Sequence, residues 1–334
     1  MKSTRFFMLV LSIAVLFVAS TVSYAGSLDG LEIKGKAYFD YYHDISNTGP
    51  RADGQENAFK FRRTYLTINK KIDDTFSVRF RTDADRKADD KLRPFVKHAF
   101  LQWKNLIPNS KLYIGISGTP TWANSEKVWG YRGLAKTVWD NFKDVTGASV
   151  SATSADAGLA LKGTFAEKMI GYHVMVANGS HYSHPEGNMY KKFQLSLSAH
   201  PSNFIIEGYF DIENRDSEFK NITMKGFAGY TQDKLAVGGE YYIFTKEGDP
   251  DDLTMNALSV FGRYDVTETG TAILRFDMYE PDADTDDNET NLIIAAFDYH
   301  PHKKVHVIPN IWYYMNAGDL DADLVGKLTF EWKF

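Results

Sequence analysis

The last eight residues of the chain constrain its fold strongly, because residues 327–334 alternate strictly between polar and apolar side chains. A period of two places successive side chains on opposite faces of a β-strand. The apolar face carries Leu328, Phe330, Trp332 and Phe334. A soluble β-sandwich can also end in an amphipathic strand, but it seldom exposes large aromatic side chains up to a terminal carboxylate. The segment therefore favours a strand whose apolar face contacts lipid.

The same alternation recurs along most of the chain, in segments that are separated by turn residues. We predict about sixteen strands, from Leu31–Asp44 to Asp323–Phe334, and helical periodicity is nearly absent. The strands average about ten residues, the length of a tilted strand that crosses the hydrocarbon core of a bilayer. Because boundaries read from a sequence shift by several residues, counts of fourteen and eighteen stay open.

This pattern predicts an all-β fold, a closed transmembrane antiparallel β-barrel. In lipid every backbone polar group needs an internal partner, and closure leaves no free strand edge. About sixteen strands leave room for an aqueous lumen, whereas about eight would be filled by side chains. Aromatic residues make up 14% of the chain, which suits the aromatic girdles of membrane barrels. Short and long connections alternate, so with the C-terminus at the periplasmic side the short turns are expected there and the long loops outside.

The amino-terminal segment predicts export from the cytoplasm. Lys2 and Arg5 form a positive region, an apolar run follows from Phe6 to Val18, and small residues occupy Ser23 and Ala25. This order is typical of a secretory signal peptide over residues 1–25, cleaved after Ala25. The alternative is a membrane anchor, for which the apolar run is shorter than the roughly 20 residues needed. Residues 26–334 contain no linker and are predicted to form one barrel domain in a bacterial outer membrane.

Composition and motifs argue against several other classes. The formal charge is −5, and removing Lys2 and Arg5 with the signal leaves −7, which argues against nucleic acid as a partner. The chain has no cysteine, hence no disulfide. No phosphate-binding glycine loop or nucleophile motif indicates an enzyme, and no cofactor is expected. The histidines near two predicted turns lack a zinc-site pattern, so no metal is expected; they are His181, His184, His300, His302 and His306.

Alternation also assigns side chains to the two faces of each strand. If Phe76, Val78 and Phe80 contact lipid, the charged residues between them face the lumen. A charge on the lipid face near the midplane would cost roughly 2–4 kcal/mol, which supports that assignment. The adjacent Arg62 and Arg63 are expected to place one guanidinium inward, and the pattern leaves open which. The predicted pore-lining residues are Arg62, Arg79, Arg81, Asp83, His98, Arg263, Arg275 and Asp277.

One connection, residues 119–155, is far longer than the others and contains three of the six tryptophans. Disordered segments are poor in aromatic residues, so we expect these rings to pack on a surface. The segment either folds back into the barrel and narrows the pore, or forms a packed extracellular flap. For the first case, the predicted constriction residues are Trp122, Glu126, Lys127, Trp129, Tyr131, Arg132, Lys136 and Asp140.

Four segments give the chain a resemblance to a known family: Phe59–Arg63, Ala99–Trp103, Ile114–Pro120 and Trp129–Arg132. The chain resembles the phosphate-selective porin O and P family within the sixteen-stranded porins. The resemblance implies a homotrimer, lumen cations that pass anions, and a third outer loop that constricts the pore. The final strand, which ends on Phe334, resembles the closing strand of bacterial outer-membrane proteins, which implies that Phe334 acts as an assembly signal for the barrel-assembly machinery. The chain is short for that family and lacks an arginine ladder on the long loop.

The sequence therefore predicts a passive porin for small hydrophilic solutes or ions rather than an enzyme. The solute stays open, and so does the sign of selectivity: lumen arginines favour anions, whereas acidic outer loops and the net charge favour cations. Because salt screens fields beyond about 8–10 Å, the constriction should outweigh the mouth, which favours anions, including phosphate. The acidic loops either recruit cations, bridge lipopolysaccharide or are solvated tips. The alternatives to a channel are a barrel hydrolase and a plugged surface or adhesion barrel.

Overall fold

The computed structural model describes residues 29–46, 57–86, 91–182, 184, 186–215, 219–248 and 252–334. The predicted signal peptide and its cleavage site lie outside these residues, as does the start of the predicted barrel domain.

Sixteen antiparallel strands form a single closed barrel, which confirms the predicted fold class and strand number. The first eight are β1 (Leu31–Asp44), β2 (Asn57–Lys71), β3 (Phe76–Arg86), β4 (Leu92–Lys104), β5 (Ser110–Gly118), β6 (Ala155–Phe165), β7 (Ile170–Ala177) and β8 (Lys192–Ala199). The others are β9 (Phe204–Asn214), β10 (Lys220–Gln232), β11 (Leu235–Glu247), β12 (Leu253–Thr267), β13 (Gly270–Glu280), β14 (Thr290–His302), β15 (Val305–Met315) and β16 (Asp323–Lys333).

Each strand pairs with its neighbours in the chain, and β1 closes the barrel against β16. This closing pair runs in register from Lys36 opposite Lys333 to Asp44 opposite Val325. Beyond it, the Gly35 N–H donates to the Phe334 carbonyl at 2.7 Å, and the Phe334 N–H donates to the Gly35 carbonyl at 3.0 Å. The terminal residue therefore takes part in closing the sheet, which leaves no strand edge unpaired.

The two faces of the sheet differ in burial, as period two requires. On β10, Thr223 and Lys225 are 0% and 4% exposed, whereas Met224 between them is 47% exposed. Large apolar side chains such as Val260 and Leu274 are likewise exposed on their strands. We call the face that carries these exposed apolar residues the outer face, and the face that carries the buried polar residues the inner face. A barrel in lipid has this distribution, because its outer surface contacts lipid chains and its interior is polar.

Residues 119–154 connect β5 to β6 and contain two short helices that the sequence pattern did not predict. They are α1 (Ala123–Trp129) and α2 (Val138–Thr146). Gly130 and Gly147 end them in the left-handed conformation, with φ of 73° and 78°, which glycine adopts without steric cost. Within the described residues, no helix has the length and apolar character that crossing a membrane requires.

Candidate functional site

A wall of basic side chains covers the inner face of β2, β3 and β4. Arg79 Nε donates to Asn69 Oδ1 at 2.8 Å, and Arg81 Nε donates to Thr67 Oγ1 at 2.7 Å. Within the described residues, neither guanidinium forms an ion pair with a carboxylate. Both arginines lie on the inner face, and both keep a net positive charge on the wall; that they line a pore stays a prediction.

A β-bulge in β2 places two adjacent arginines on this wall. Tyr38 pairs with Arg63 and Phe39 pairs with Phe61, so Arg62 is an extra residue. The Arg62 guanidinium is bonded to Asp40 at 2.6 Å and lies 5.3 Å from the Tyr38 ring centre. Arg63 contacts the inner-face residues Asp83 and Tyr65. The expectation that only one of the two faces inward was therefore incomplete, because a bulge interrupts the alternation.

A second bulge, in β4, places the adjacent residues Lys97 and His98 on the same wall. Arg81 pairs with His98 and Thr82 pairs with Val96, which leaves Lys97 as the extra residue. Both Lys97 and His98 are buried. The Lys97 ammonium lies 3.2 Å from Asp83 Oδ2. The alternation assigned His98 to the lumen, and the bulge adds Lys97.

Asp83 and Tyr65 organise these cations. Asp83 is fully buried and lies within ion-pair distance of both Arg63 and Lys97, at 3.5 and 3.2 Å. The Tyr65 ring centre lies 5.8 Å from Arg63 Cζ, 5.7 Å from Arg81 Cζ and 5.4 Å from Lys97 Nζ. An aromatic face attracts cations at such distances. Sequence reasoning missed Tyr65, although its spacing of two from Arg63 puts both side chains on one face.

The segment 119–154 packs against an apolar patch on the inner face of β10 to β15. The Trp139 ring stacks on Tyr242 with centres 5.1 Å apart and planes at 5°. The Trp129 ring meets Phe261 edge-on at 5.2 Å, and Phe142 lies 5.9 Å from Tyr279. Trp129, Trp139 and Phe142 are at most 1% exposed. Trp122, a third predicted tryptophan, belongs to the same apolar cluster.

Polar contacts fix the same segment to the inner face of β12 and β13. Arg275 and Asp277 form a fully buried ion pair at 2.7 Å, and Arg275 also donates to the Lys136 carbonyl at 2.7 Å. The Arg275 guanidinium lies 5.0 Å from the Trp129 ring centre. These two predicted pore-lining residues are thus on the inner face but are covered by the segment, so they hold it in place. Arg263 reaches the Val128 carbonyl at 3.5 Å.

An ion-pair cluster orders the segment internally. Arg132 pairs with both Glu126 and Asp140, the latter at 2.6 Å. Burial alone would raise the pKa of Asp140. The charges of Arg132, Lys136 and Lys97 and a hydrogen bond from Arg132 together outweigh burial and hold the pKa of that carboxyl below its usual value. Lys136 pairs with Asp144 at 2.6 Å, whereas Lys127 is exposed.

Two further contacts join the turn between the helices to the barrel. Burial raises the pKa of Tyr131, so its hydroxyl stays protonated and donates to Asp298 Oδ2 at 2.9 Å. Arg62 on β2 donates a hydrogen bond to the Gly133 carbonyl. The segment therefore contacts inner-face residues of β2 and of β14.

A cavity of about 670 Å³ lies between the segment and the basic wall. Trp122, Glu126 and Arg132 line it on the segment side. Tyr65, Arg81 and His98 line it on the wall side. Phe334 reaches its margin together with Lys304 and Lys333. A further groove, of about 880 Å³, lies among outer-face apolar residues such as Val260 and Leu274 and is separate from this cavity.

Solved structures with the same architecture are outer-membrane proteins. An anion-selective porin from Comamonas acidovorans superposes with a TM-score of 0.70 at 9% identity, over 91% of this chain and 99% of that chain. OmpF from Salmonella typhi in complex with daunomycin gives 0.68 at 10% identity, over 92% and 99%. The trimer form of Vibrio cholerae OmpT gives 0.65 at 13% identity, over 91% and 99%.

No family model and no curated protein sequence matches the chain. The structural likeness identifies the fold, which is that of the outer-membrane porins. The resemblance to the phosphate-selective porins stays a prediction.

Proposed function

We propose that this chain forms a water-filled pore in a bacterial outer membrane and passes small hydrophilic solutes by diffusion, with a preference for anions. The observation that carries the proposal is the side-chain charge around the cavity of about 670 Å³: seven cationic side chains line it, but only one acidic side chain does. The cations are Lys34, Lys36, Arg81, Lys97, Arg132, Lys304 and Lys333, and the carboxylate is Glu126.

The positive excess persists when ion pairing is included. Four further carboxylates pair with the lining cations, namely Glu32, Asp83, Asp140 and Glu331. Within the described residues, Arg81 and Lys304 have no carboxylate partner, so the excess is concentrated on them. Fixed charges of one sign beside a pore attract ions of the opposite sign, and screening leaves such charges effective within about 8–10 Å at ordinary salt.

The segment 119–154 is proposed to narrow this pore rather than to form an extracellular flap. Its contacts with inner-face residues of β2 and β11, through Arg62 and Tyr242, support that role, because these two strands are seven apart around the closed barrel. Because the apolar cluster seats it against β10 to β15, the remaining space borders the basic wall. An ion would therefore pass close to Arg81 and Lys97.

The proposed setting includes further partners. We expect export through a cleaved signal peptide, insertion by barrel-assembly machinery that reads Phe334, and contact with outer-membrane lipid and lipopolysaccharide. The trimer form of Vibrio cholerae OmpT supports a homotrimer for this fold.

The test is the current through the refolded protein in a planar bilayer with a KCl gradient. Stepwise conductance with a reversal potential on the anion-selective side is expected. Replacing chloride with phosphate then tests selectivity for phosphate. A permeability for phosphate that is larger than that for chloride extends the proposal to that anion. A cation-selective reversal potential overturns the anion preference. A folded barrel without conductance overturns the channel and leaves the plugged barrel and the hydrolase.

A further inference from the structure

Three potential metal ligands converge at the turn between β14 and β15. Asp298 and His300 lie two residues apart on the inner face of β14, and His306 lies on β15 beside them, because Tyr299 pairs with Val307. Their donor atoms all lie within 4.8 Å of one another. Asp298 Oδ2 is 2.8 Å from His306 Nδ1 and 3.4 Å from His300 Nδ1.

These distances fit the demands of a tetrahedral metal. A Zn²⁺ ion with bonds of about 2.1 Å holds its ligand atoms roughly 3.4 Å apart. The separation of 3.4 Å between Asp298 and His300 has this value, and the separation of 2.8 Å between Asp298 and His306 would have to lengthen by about 0.6 Å. Asp298 is fully buried, and among the described residues its second oxygen, Oδ1, has no hydrogen-bond partner. A buried carboxylate oxygen without a partner is costly, and a cation would satisfy it.

We propose that Asp298, His300 and His306 form a binding site for a divalent transition metal such as Zn²⁺. Two imidazoles and one carboxylate suit Zn²⁺, whereas Ca²⁺ and Mg²⁺ prefer oxygen ligands. Three protein ligands leave a fourth position for water or a solute group. Both imidazoles keep part of their surface exposed, at 22% and 17%, so an ion can reach them from solvent.

Neighbouring groups tune this site. The Lys333 ammonium lies 3.5 Å from His306 Nε2, and its charge opposes a second cation. Glu331, at 3.1 Å from Lys333, offsets part of that charge. The Tyr131 hydroxyl donates to Asp298 Oδ2, so it orients the carboxylate from the segment 119–154. The sequence predicts no metal here, because the histidines lack a zinc-site pattern with supporting ligands; Asp298 joins His306 only through the pairing of β14 with β15.

The experiment is calorimetric titration of Zn²⁺ into the untagged full chain, folded in detergent and freed of metal with a chelator. We expect one Zn²⁺ per chain with micromolar affinity. His300→Ala and His306→Ala should each weaken binding at least tenfold. His302→Ala changes an exposed histidine on the same turn and should leave the affinity unchanged. Lys333→Gln should strengthen binding.

Heat-modifiable mobility on gels shows that each variant is folded before it is titrated. Failure to bind Zn²⁺ by the folded wild type overturns the proposal. An equal loss in His302→Ala, or no loss in His300→Ala and His306→Ala, also overturns it. Because binding is measured in detergent without current, the result is independent of whether the barrel conducts.

Discussion

Replacing Arg81 with glutamate reverses a charge on the wall of the proposed pore. Arg81 lines the cavity of about 670 Å³, and its guanidinium is fixed by Thr67 and lies over Tyr65. A sphere of that volume has a radius of about 5 Å, so a centred ion lies roughly 6 Å from this charge. Arg81→Glu changes the charge at this position by two units without removing a buried ion pair.

The magnitude follows from Coulomb's law. At roughly 6 Å in water, one unit charge contributes about 0.7 kcal/mol, and screening at 0.1 M salt reduces this to about 0.4 kcal/mol. A charge change of two units then costs an anion about 0.8 kcal/mol and favours a cation by about the same amount. The free-energy difference between anion and cation should therefore shift by about 1.6 kcal/mol, which lowers the anion-to-cation permeability ratio roughly fifteenfold. A lower effective dielectric constant in the cavity would make the change larger.

The assay is the reversal potential of single channels in a KCl gradient. Arg81→Gln should give about half the shift in free energy, because it changes the charge by one unit. Lys234→Glu is the matched control, since it makes the same two-unit change at the exposed turn between β10 and β11 and should shift the potential little. A normal conductance with an unchanged reversal potential in Arg81→Glu would refute the assignment of this wall to the ion path.

Three further changes test packing and electrostatics. Gly115→Ala should destabilise the barrel by at least the roughly 1–3 kcal/mol of a strained backbone, because Gly115 has φ of 121° and an added Cβ would lie 2.4 Å from the Ala99 carbonyl. Gly226→Ala, with no heavy atom within 4 Å, should have a much smaller effect on the same urea unfolding midpoint. Trp139→Ala removes the ring that stacks on Tyr242 and should cost about 3–5 kcal/mol of local stability. We expect single-channel currents that are larger and noisier than those of the wild type. Currents like those of the wild type would contradict the packing of α2 against the barrel wall. Asp140→Asn should lower the melting temperature at pH 7, because the pKa of Asp140 is lower in the folded than in the unfolded state. The stabilisation by the charged carboxylate is present above about pH 4 and is lost as the pH falls through the lowered pKa. The melting temperatures of the variant and the wild type should therefore converge in acid.

The strand number and the face assignments could be read from the sequence because they depend on a local property. Period two is imposed by the backbone of each strand, and the penalty for a charge in lipid gives the pattern its direction. Arg79, Arg81, Asp83 and Arg275 lie on the inner face, and the prediction that they line a pore remains to be tested. The length and aromatic content of residues 119–154 likewise indicated a packed segment, although the short helices in it carry too few turns to show a helical period.

Features that involve two strands or two distant segments were decided only by the tertiary structure. A bulge depends on register with the partner strand, so the sequence could not show that Arg62 and Arg63 both face inward, or that Lys97 joins His98. Arg275 was assigned to the correct face, but only the position of the segment shows that it is covered. The cluster of Asp298, His300 and His306 also needs the pairing of β14 with β15. Alternation along one strand fixes which way a side chain points, whereas its partners are fixed by which other strand or segment lies against it.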